Sequence, residues 1–196
     1  MPRAREFETE VALDQCLDLF WAKGFTGVSV SDLEEATGLG RQSLYTAFGN
    51  KEAIFTRVLE RYAVATEAGL APLFATGAGV ADIRRYAKDA LAVQRRHGAS
   101  GCLLVKTLWD RGLEDREKDG GALRKLAQAS TKRVRAAFRN ALDRAEERGE
   151  VSRGDSRRRA DLCFAAINGL AALRRAGVSE AEALLTLEPL LDSWRT

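Results

Sequence analysis

Apolar residues recur along most of this chain at intervals of three and four, the spacing that lays a stripe down one side of an α-helix. Leu13, Cys16, Leu17 and Phe20 trace the first stripe and predict a helix from about Glu8 to Lys23, closed by Gly24 with Phe25 packing back on Phe20. From residue 29 the pattern tightens into two short helices. Ser29 and Asp32 form a capping-box pair, the hydroxyl accepting from orphan backbone N–H groups and the carboxylate sitting at the positive helix end, so a helix opens at Val30. Gly38 can take the left-handed conformation and stops that helix at Thr37, with Leu39 folding back on Leu33 as a Schellman contact. The second helix opens at Arg41 behind Gly40, a second-choice cap, and turns Leu44 and Phe48 inward. Asn50 caps a third, longer helix whose stripe of Ile54, Phe55, Val58, Leu59 and Tyr62 fades toward Gly69 and Pro72.

A loop at Thr76, Gly77, Ala78 and Gly79 precedes further helical segments near Val80 to Arg96, Gly101 to Arg111, Ala122 to Arg148, Ser156 to Ala176 and Glu180 to Trp194. The breaks fall at Arg116 to Gly121, Gly149 to Gly154, and Gly177 with Val178. Ser179 and Glu182 make a capping box for the last segment, and Pro189 interrupts or kinks it. No strand alternation or internal repeat runs through the chain, so the expected fold class is all-α, divided into residues 1–62 and 63–196.

The two short helices and their glycine-flanked turn have the layout of a helix-turn-helix, with the recognition motif at 29–48. The second helix carries Arg41, Gln42, Ser43, Tyr45 and Thr46 on the face opposite Leu44 and Phe48, side-chain types that bond base edges and phosphates. Lys51 falls in the first turn after Asn50, where exposed N–H groups also favour a phosphate.

At these residues the chain resembles the TetR family of bacterial transcriptional regulators. The resemblance rests on Gly24-Phe25, on Ser29 to Leu33, on Ala36 to Leu39, on Ser43-Leu44-Tyr45 with Phe48, and on Lys51 to Phe55, and covers roughly residues 8 to 62. It implies a three-helix DNA-binding head, a larger helical body that binds a small molecule, and a homodimer on a double-stranded operator. Ser29, Ser31, Gly40, Arg41, Gln42, Ser43, Tyr45, Thr46 and Lys51 are then the DNA-facing set. Gly40 departs from the pattern, since many members carry Ser or Thr there, and the departure weakens a cap or a phosphate contact.

Charge does not by itself argue for DNA. The chain of 196 residues has a formal net charge of +3, yet residues 1 to 62 hold seven Lys or Arg against ten Asp or Glu. The positive groups available on the reading side are Arg41 and Lys51, with Lys23 and Arg5 as further candidates. Arg157, Arg158 and Arg159 read as a solvated helix start. No apolar run is long enough to span a membrane and the N-terminus lacks a signal-peptide core, so a cytoplasmic protein is expected.

Three cysteines lie far apart, and no Cys or His pairs stand at metal-ligand spacing, so neither a metal nor a cofactor is expected. Cys16 and Cys163 read as core. Cys102 follows Gly101 at a helix start, where the dipole favours thiolate, while Leu103, Leu104 and Val105 argue for burial. The single histidine, His97, suits the negative end of a helix.

Cys102, Val105, Lys106 and Trp109 share one helix face and present a thiol, an ammonium and an indole together. Tyr86, Phe138, Phe164 and Asn168 could complete an apolar effector cavity, and a buried Lys106 would call for an anionic ligand. The last two helices suggest a dimer surface of Leu162, Ala166, Gly169, Leu170, Leu173, Leu184, Leu187, Leu191 and Trp194, with Ala165 and Ala172 allowing close approach. Two other classes compete with a regulator that has no catalytic residues. One is an α-helical enzyme with Cys102 as nucleophile, for which no partner acid or second histidine stands at a recognisable spacing. The other is a helical interaction module without DNA function, which leaves the polar face of residues 41–46 unexplained.

Overall fold

Every periodic stripe in the chain becomes a helix. The computed structural model describes residues 2–96, 101–113 and 119–196, with side chains from Thr9 onward other than those at 96 and 119. In order these are α1 (Pro2–Lys23), α2 (Val30–Thr37), α3 (Arg41–Phe48), α4 (Lys51–Leu70), a 3-10 turn (Ala71–Phe74), α5 (Val80–Arg96), α6 (Leu103–Trp109), a second 3-10 turn (Arg111–Leu113), α7 (Asp119–Glu147), α8 (Ser156–Arg175), α9 (Glu180–Leu185) and α10 (Glu188–Asp192). Among the described residues the one strand-like feature is an isolated bridge between Val151 and Arg195.

The chain forms two compact units, Met1–Ala65 with Leu103–Ala129, and Thr66–Cys102 with Ser130–Thr196. The break expected after Tyr62 thus falls at 65/66, inside α4, and the α6 segment joins the first unit instead of the body. The physical reason is polar and long-range. Lys106 Nζ donates to the carbonyls of Trp21 (2.7 Å) and Ala22 (3.1 Å), which belong to the last turn of α1 and have no acceptor role inside that helix. Asp110 accepts from the Thr26 N–H at 3.0 Å and from the Thr26 hydroxyl. A β-carbon at Gly112 would collide with that same hydroxyl. Arg124 donates to the Leu108 carbonyl at 3.1 Å and ties the start of α7 to α6.

Packing in the first unit centres on rings. Phe20 and Phe25 both lie against Phe55, with centroids 4.8 and 5.2 Å away, and Trp21 stands edge-on to Tyr62 at 4.8 Å. Phe20, Phe25 and Phe55 are buried, each contributing about 1.5–3 kcal/mol. The core of the second unit is built from α5, α7, α8, α9 and α10, including Ile83, Phe138, Ile167, Leu170, Leu187 and Leu191. Arg84 fixes α10 by pairing with Glu188 (2.7 Å) and Asp192 (3.0 Å).

Four boundaries differ from the sequence reading, the first being α1, which opens at Pro2 rather than near Glu8. The expected helix at 101–111 is shorter, Leu103–Trp109, and α7 opens at Asp119. The last segment is two helices. The Ser179/Glu182 capping box opens α9 as expected, while Pro189 lies in the first turn of α10, where a residue without an N–H leaves no bond unmade. Residues 116–118 of the expected break, and His97, lie outside the described residues.

Candidate nucleic-acid interface

The reading motif forms where its local signals put it. Ser29 Oγ accepts from the Asp32 N–H at 3.1 Å and the Asp32 carboxylate accepts from the Ser29 N–H at 2.7 Å, a complete capping box. Lys23 adds an ion pair to Asp32 at 2.5 Å, so the ammonium ties the end of α1 to the start of α2. That bond, with the Ser29 hydrogen bonds, holds the Asp32 carboxyl well below the usual carboxylate range. Lys23 is therefore spent on the fold, in contrast to its reading as a spare cation for DNA. The side chain of Arg5 lies outside those described.

Helix α2 stops at Gly38, whose φ of 68° is left-handed and whose N–H bonds to the Glu34 carbonyl at 2.9 Å. The Leu39 N–H goes to the Thr37 hydroxyl at 3.2 Å, leaving the simpler one-bond αL ending.

Helix α3 buries Leu44 and Phe48 against its own unit and exposes Arg41, Gln42, Ser43 and Thr46. Tyr45 is half-buried, with the Arg41 guanidinium 5.4 Å from its ring centre. Thr46 donates its hydroxyl proton to the Gln42 carbonyl at 2.7 Å, which leaves Arg41, Gln42 and Ser43 as the outward donors of the first turn. Ser29 is exposed but occupied by its capping box, and Ser31 is exposed. Gly40 provides no side-chain cap, as expected. Asn50 caps α4 by accepting from the Ala53 N–H at 2.8 Å, and Lys51 lies half-buried with its ammonium 4.3 Å from the centre of the Phe25 ring.

Two charged residues that periodicity does not single out hold α3 at its ends. Glu34 Oε1 accepts from the Arg41 N–H at 2.7 Å. Arg57 stacks on the Phe48 ring at 5.2 Å and reaches the Ala47 carbonyl at 3.5 Å. An acid at the first turn and a base at the last both suit the helix dipole. The signals were present, an acidic residue seven positions before Arg41 and a basic one ten after Ala47, but only the turn geometry makes them meet.

The effector set expected in the body divides. Tyr86 packs edge-on to Phe138 at 5.2 Å, and burial pushes its phenol up, with the neighbouring Cys102 adding to the shift. Phe164 and Asn168 share a turn of α8, where the Asn168 amide donates to the Phe164 carbonyl at 2.8 Å. Cys102 and Val105 are half-buried. Lys106 is bonded to the carbonyls of α1, so the argument for an anionic ligand lapses, and Trp109 is 79% exposed instead of lining a buried wall. Gln94, absent from the expected set, is buried with an Oε1 that meets no hydrogen-bond partner among the described residues.

The expected dimer set divides too. Leu170, Leu187, Leu191 and Trp194 are buried in the core of the second unit, because α9 and α10 fold onto α5 and α8. Ala166, Leu173 and Leu184 pack half-buried against the same core, while Leu162 stays 49% exposed and Gly169 has open space at its β-position. Burial pushes the Cys16 thiol up to about 11 and that of Cys163 to about 12, as suits inert core residues. Among the described residues no group of three potential metal ligands forms, and no helix is long and apolar enough to cross a membrane.

Comparison with known proteins bears on this site. Residues 12–58, which run from α1 into α4, match the model of the family described as bacterial regulatory proteins, tetR family. The HTH-type transcriptional repressor ComR of Escherichia coli (strain K12) is 45% identical over 60 residues, a match that spans 31% of this chain and 29% of ComR. The uncharacterized HTH-type transcriptional regulator YezE of Bacillus subtilis (strain 168) is 28% identical over 160 residues, 80% of this chain and 79% of YezE. Among solved structures, a cysteine mutant of the TetR family transcriptional regulator CifR, complexed with 26bp double-strand operator DNA, superposes with a TM-score of 0.79 at 23% identity. That likeness covers 94% of this chain and 95% of CifR, and shows a shared fold.

Proposed function

Because the chain belongs to the TetR family of bacterial transcriptional regulators, we propose that it is a repressor that binds a palindromic double-stranded operator as a homodimer and is released by a small molecule. The carrying observation is the outward face of α3, where Arg41, Gln42 and Ser43 stand exposed over a buried Leu44 and Phe48. Such a face fits base-edge readout in a major groove. The operator complex of CifR supports a duplex as the partner, and the name of ComR supports repression.

Two copies are needed on charge grounds. Residues 1 to 62 carry more acid than base, so one head has little phosphate attraction, and linking two heads multiplies a weak affinity. The two reading helices would enter successive major grooves about 34 to 36 Å apart, and a ligand that changes their spacing would weaken binding. For the ligand we favour Tyr86, Cys102, Phe138, Phe164 and Asn168, with the unpartnered Gln94 Oε1 as an acceptor for a ligand donor. The reading calls for no cofactor, metal or catalytic step, and for work in the cytoplasm.

The test is binding to DNA flanking the protein's own gene and to duplexes selected from a random pool. Specific binding that weakens steeply with salt is the expected result. Failure to retain any duplex at low salt overturns the reading.

A further inference from the structure

One residue closes both ends of the turn in the reading motif. The backbone carbonyl of Glu34 accepts the Gly38 N–H at 2.9 Å and so ends α2, while its carboxylate accepts the Arg41 N–H at 2.7 Å and so begins α3. The opening N–H groups of a helix have no partner within it, and the N-cap side chain normally serves one of them. In α3 the N-cap is Gly40, which has no side chain to offer.

Nothing in the geometry demands glycine there. Gly40 has φ −66° and ψ 156°, the extended backbone that Ser or Thr adopts at an N-cap, and a β-carbon would meet nothing within 4 Å. The capping bond this helix start does have comes from α2 and falls on the Arg41 N–H, one or two positions before the N–H a side chain at position 40 would serve. We propose that Glu34 is the positioning residue of the reading helix, its carboxylate capping the first N–H of a helix start that Gly40 leaves without a side-chain cap, and setting the first turn of α3, where Arg41 and Gln42 are exposed, against α2. The inference rests on the DNA-binding reading for its consequence in specificity, but the cap itself can be measured without DNA.

The experiment uses three variants of the full chain: Glu34→Ala, which removes the acceptor; Glu34→Gln, which keeps an acceptor oxygen without the charge; and Glu34→Ala combined with Gly40→Ser, which restores a cap at its ordinary place. Without DNA, hydrogen exchange of the Arg41 amide should quicken in Glu34→Ala and return toward the parent rate in Glu34→Gln, while in the Gly40→Ser combination the serine hydroxyl accepts from the Gln42 or Ser43 N–H and slows exchange there instead. With a duplex selected by the parent protein, Glu34→Ala should lose roughly five-fold in matched affinity, the order of one lost cap. It should lose less on a single-mismatch duplex, so discrimination falls, and both other variants should recover it. Unchanged Arg41 exchange in Glu34→Ala overturns the proposal, as does discrimination that neither Glu34→Gln nor the Gly40→Ser combination recovers. If the parent protein selects no duplex at all, the DNA-binding reading fails, while the exchange rates still decide the cap.

Discussion

The observed contact of Lys51 with Phe25 and the phosphate role proposed for it separate by measurement. Its ammonium lies 4.3 Å from the Phe25 ring centre, a contact worth about 0.5–1 kcal/mol where solvent reaches it. It also stands in the first turn of α4, where helix N–H groups would share a phosphate. Lys51→Ala is therefore expected to cost a fraction of a kcal/mol in unfolding free energy, to weaken all duplexes alike, and to flatten the salt slope by about one. Gln42 is exposed and opens α3, so Gln42→Ala should instead change sequence preference, costing about 1–3 kcal/mol on the matched operator. Equal loss on matched and mismatched duplexes would remove Gln42 from the base-reading set. Asp32 gives a pH signature. Its carboxyl is held well below the usual range by Lys23 and Ser29, so its contribution is present above the unfolded value near ~4 and fades as pH falls through that value toward the folded one. Thermal unfolding of the parent should thus lose stability on acidification more steeply than that of Asp32→Asn, and parallel pH curves would show that the capping box does not couple to folding.

The helix elements were legible to the degree that their signals were local. The Ser29/Asp32 and Ser179/Glu182 boxes act over three residues, and both form, so the starts of α2 and α9 could be read directly. Gly38 ends α2 at Thr37 for the same reason, although which amide bonds which carbonyl depended on the Thr37 hydroxyl. Contacts across long stretches of chain could not be read. Lys106 and Trp21 are 85 residues apart, and only the fold shows that the ammonium caps α1 instead of facing a ligand. The stripe of Leu187, Leu191 and Trp194 was visible, but a stripe does not say whether it covers its own core or a partner's, and here it covers its own. The docking of α6 makes its own prediction. Lys106→Met keeps the apolar stem and deletes both bonds to α1, so it should destabilise the first unit by about 1 kcal/mol and speed amide exchange in Leu103–Trp109. Exchange in α6 that matches the parent would mean that Asp110 and packing hold this helix without the ammonium.

For the whole molecule the open question of assembly turns on what α8 leaves uncovered. Leu162, Ala165, Gly169 and Ala172 are exposed and recur at i, i+3, i+7 and i+10, one face of the helix about 15 Å long, while Ile167 and Leu170 on the other side are buried. Small residues there would let a second helix approach closely, and Leu185, 65% exposed, adds apolar area on α9. Gly169 is the sharpest probe because it is exposed and a β-carbon at that position meets nothing within 4 Å. An exposed glycine inside a helix costs about 1 kcal/mol relative to alanine. Gly169→Arg should therefore leave thermal unfolding at high dilution unchanged or raised while shifting sedimentation from dimer to monomer. Operator affinity should fall with it, since the first unit's excess of acid makes a single head a weak binder. Gly169→Ala should keep the dimer. A Gly169→Arg protein that sediments as a dimer and binds its operator normally would move the assembly surface off this face of α8.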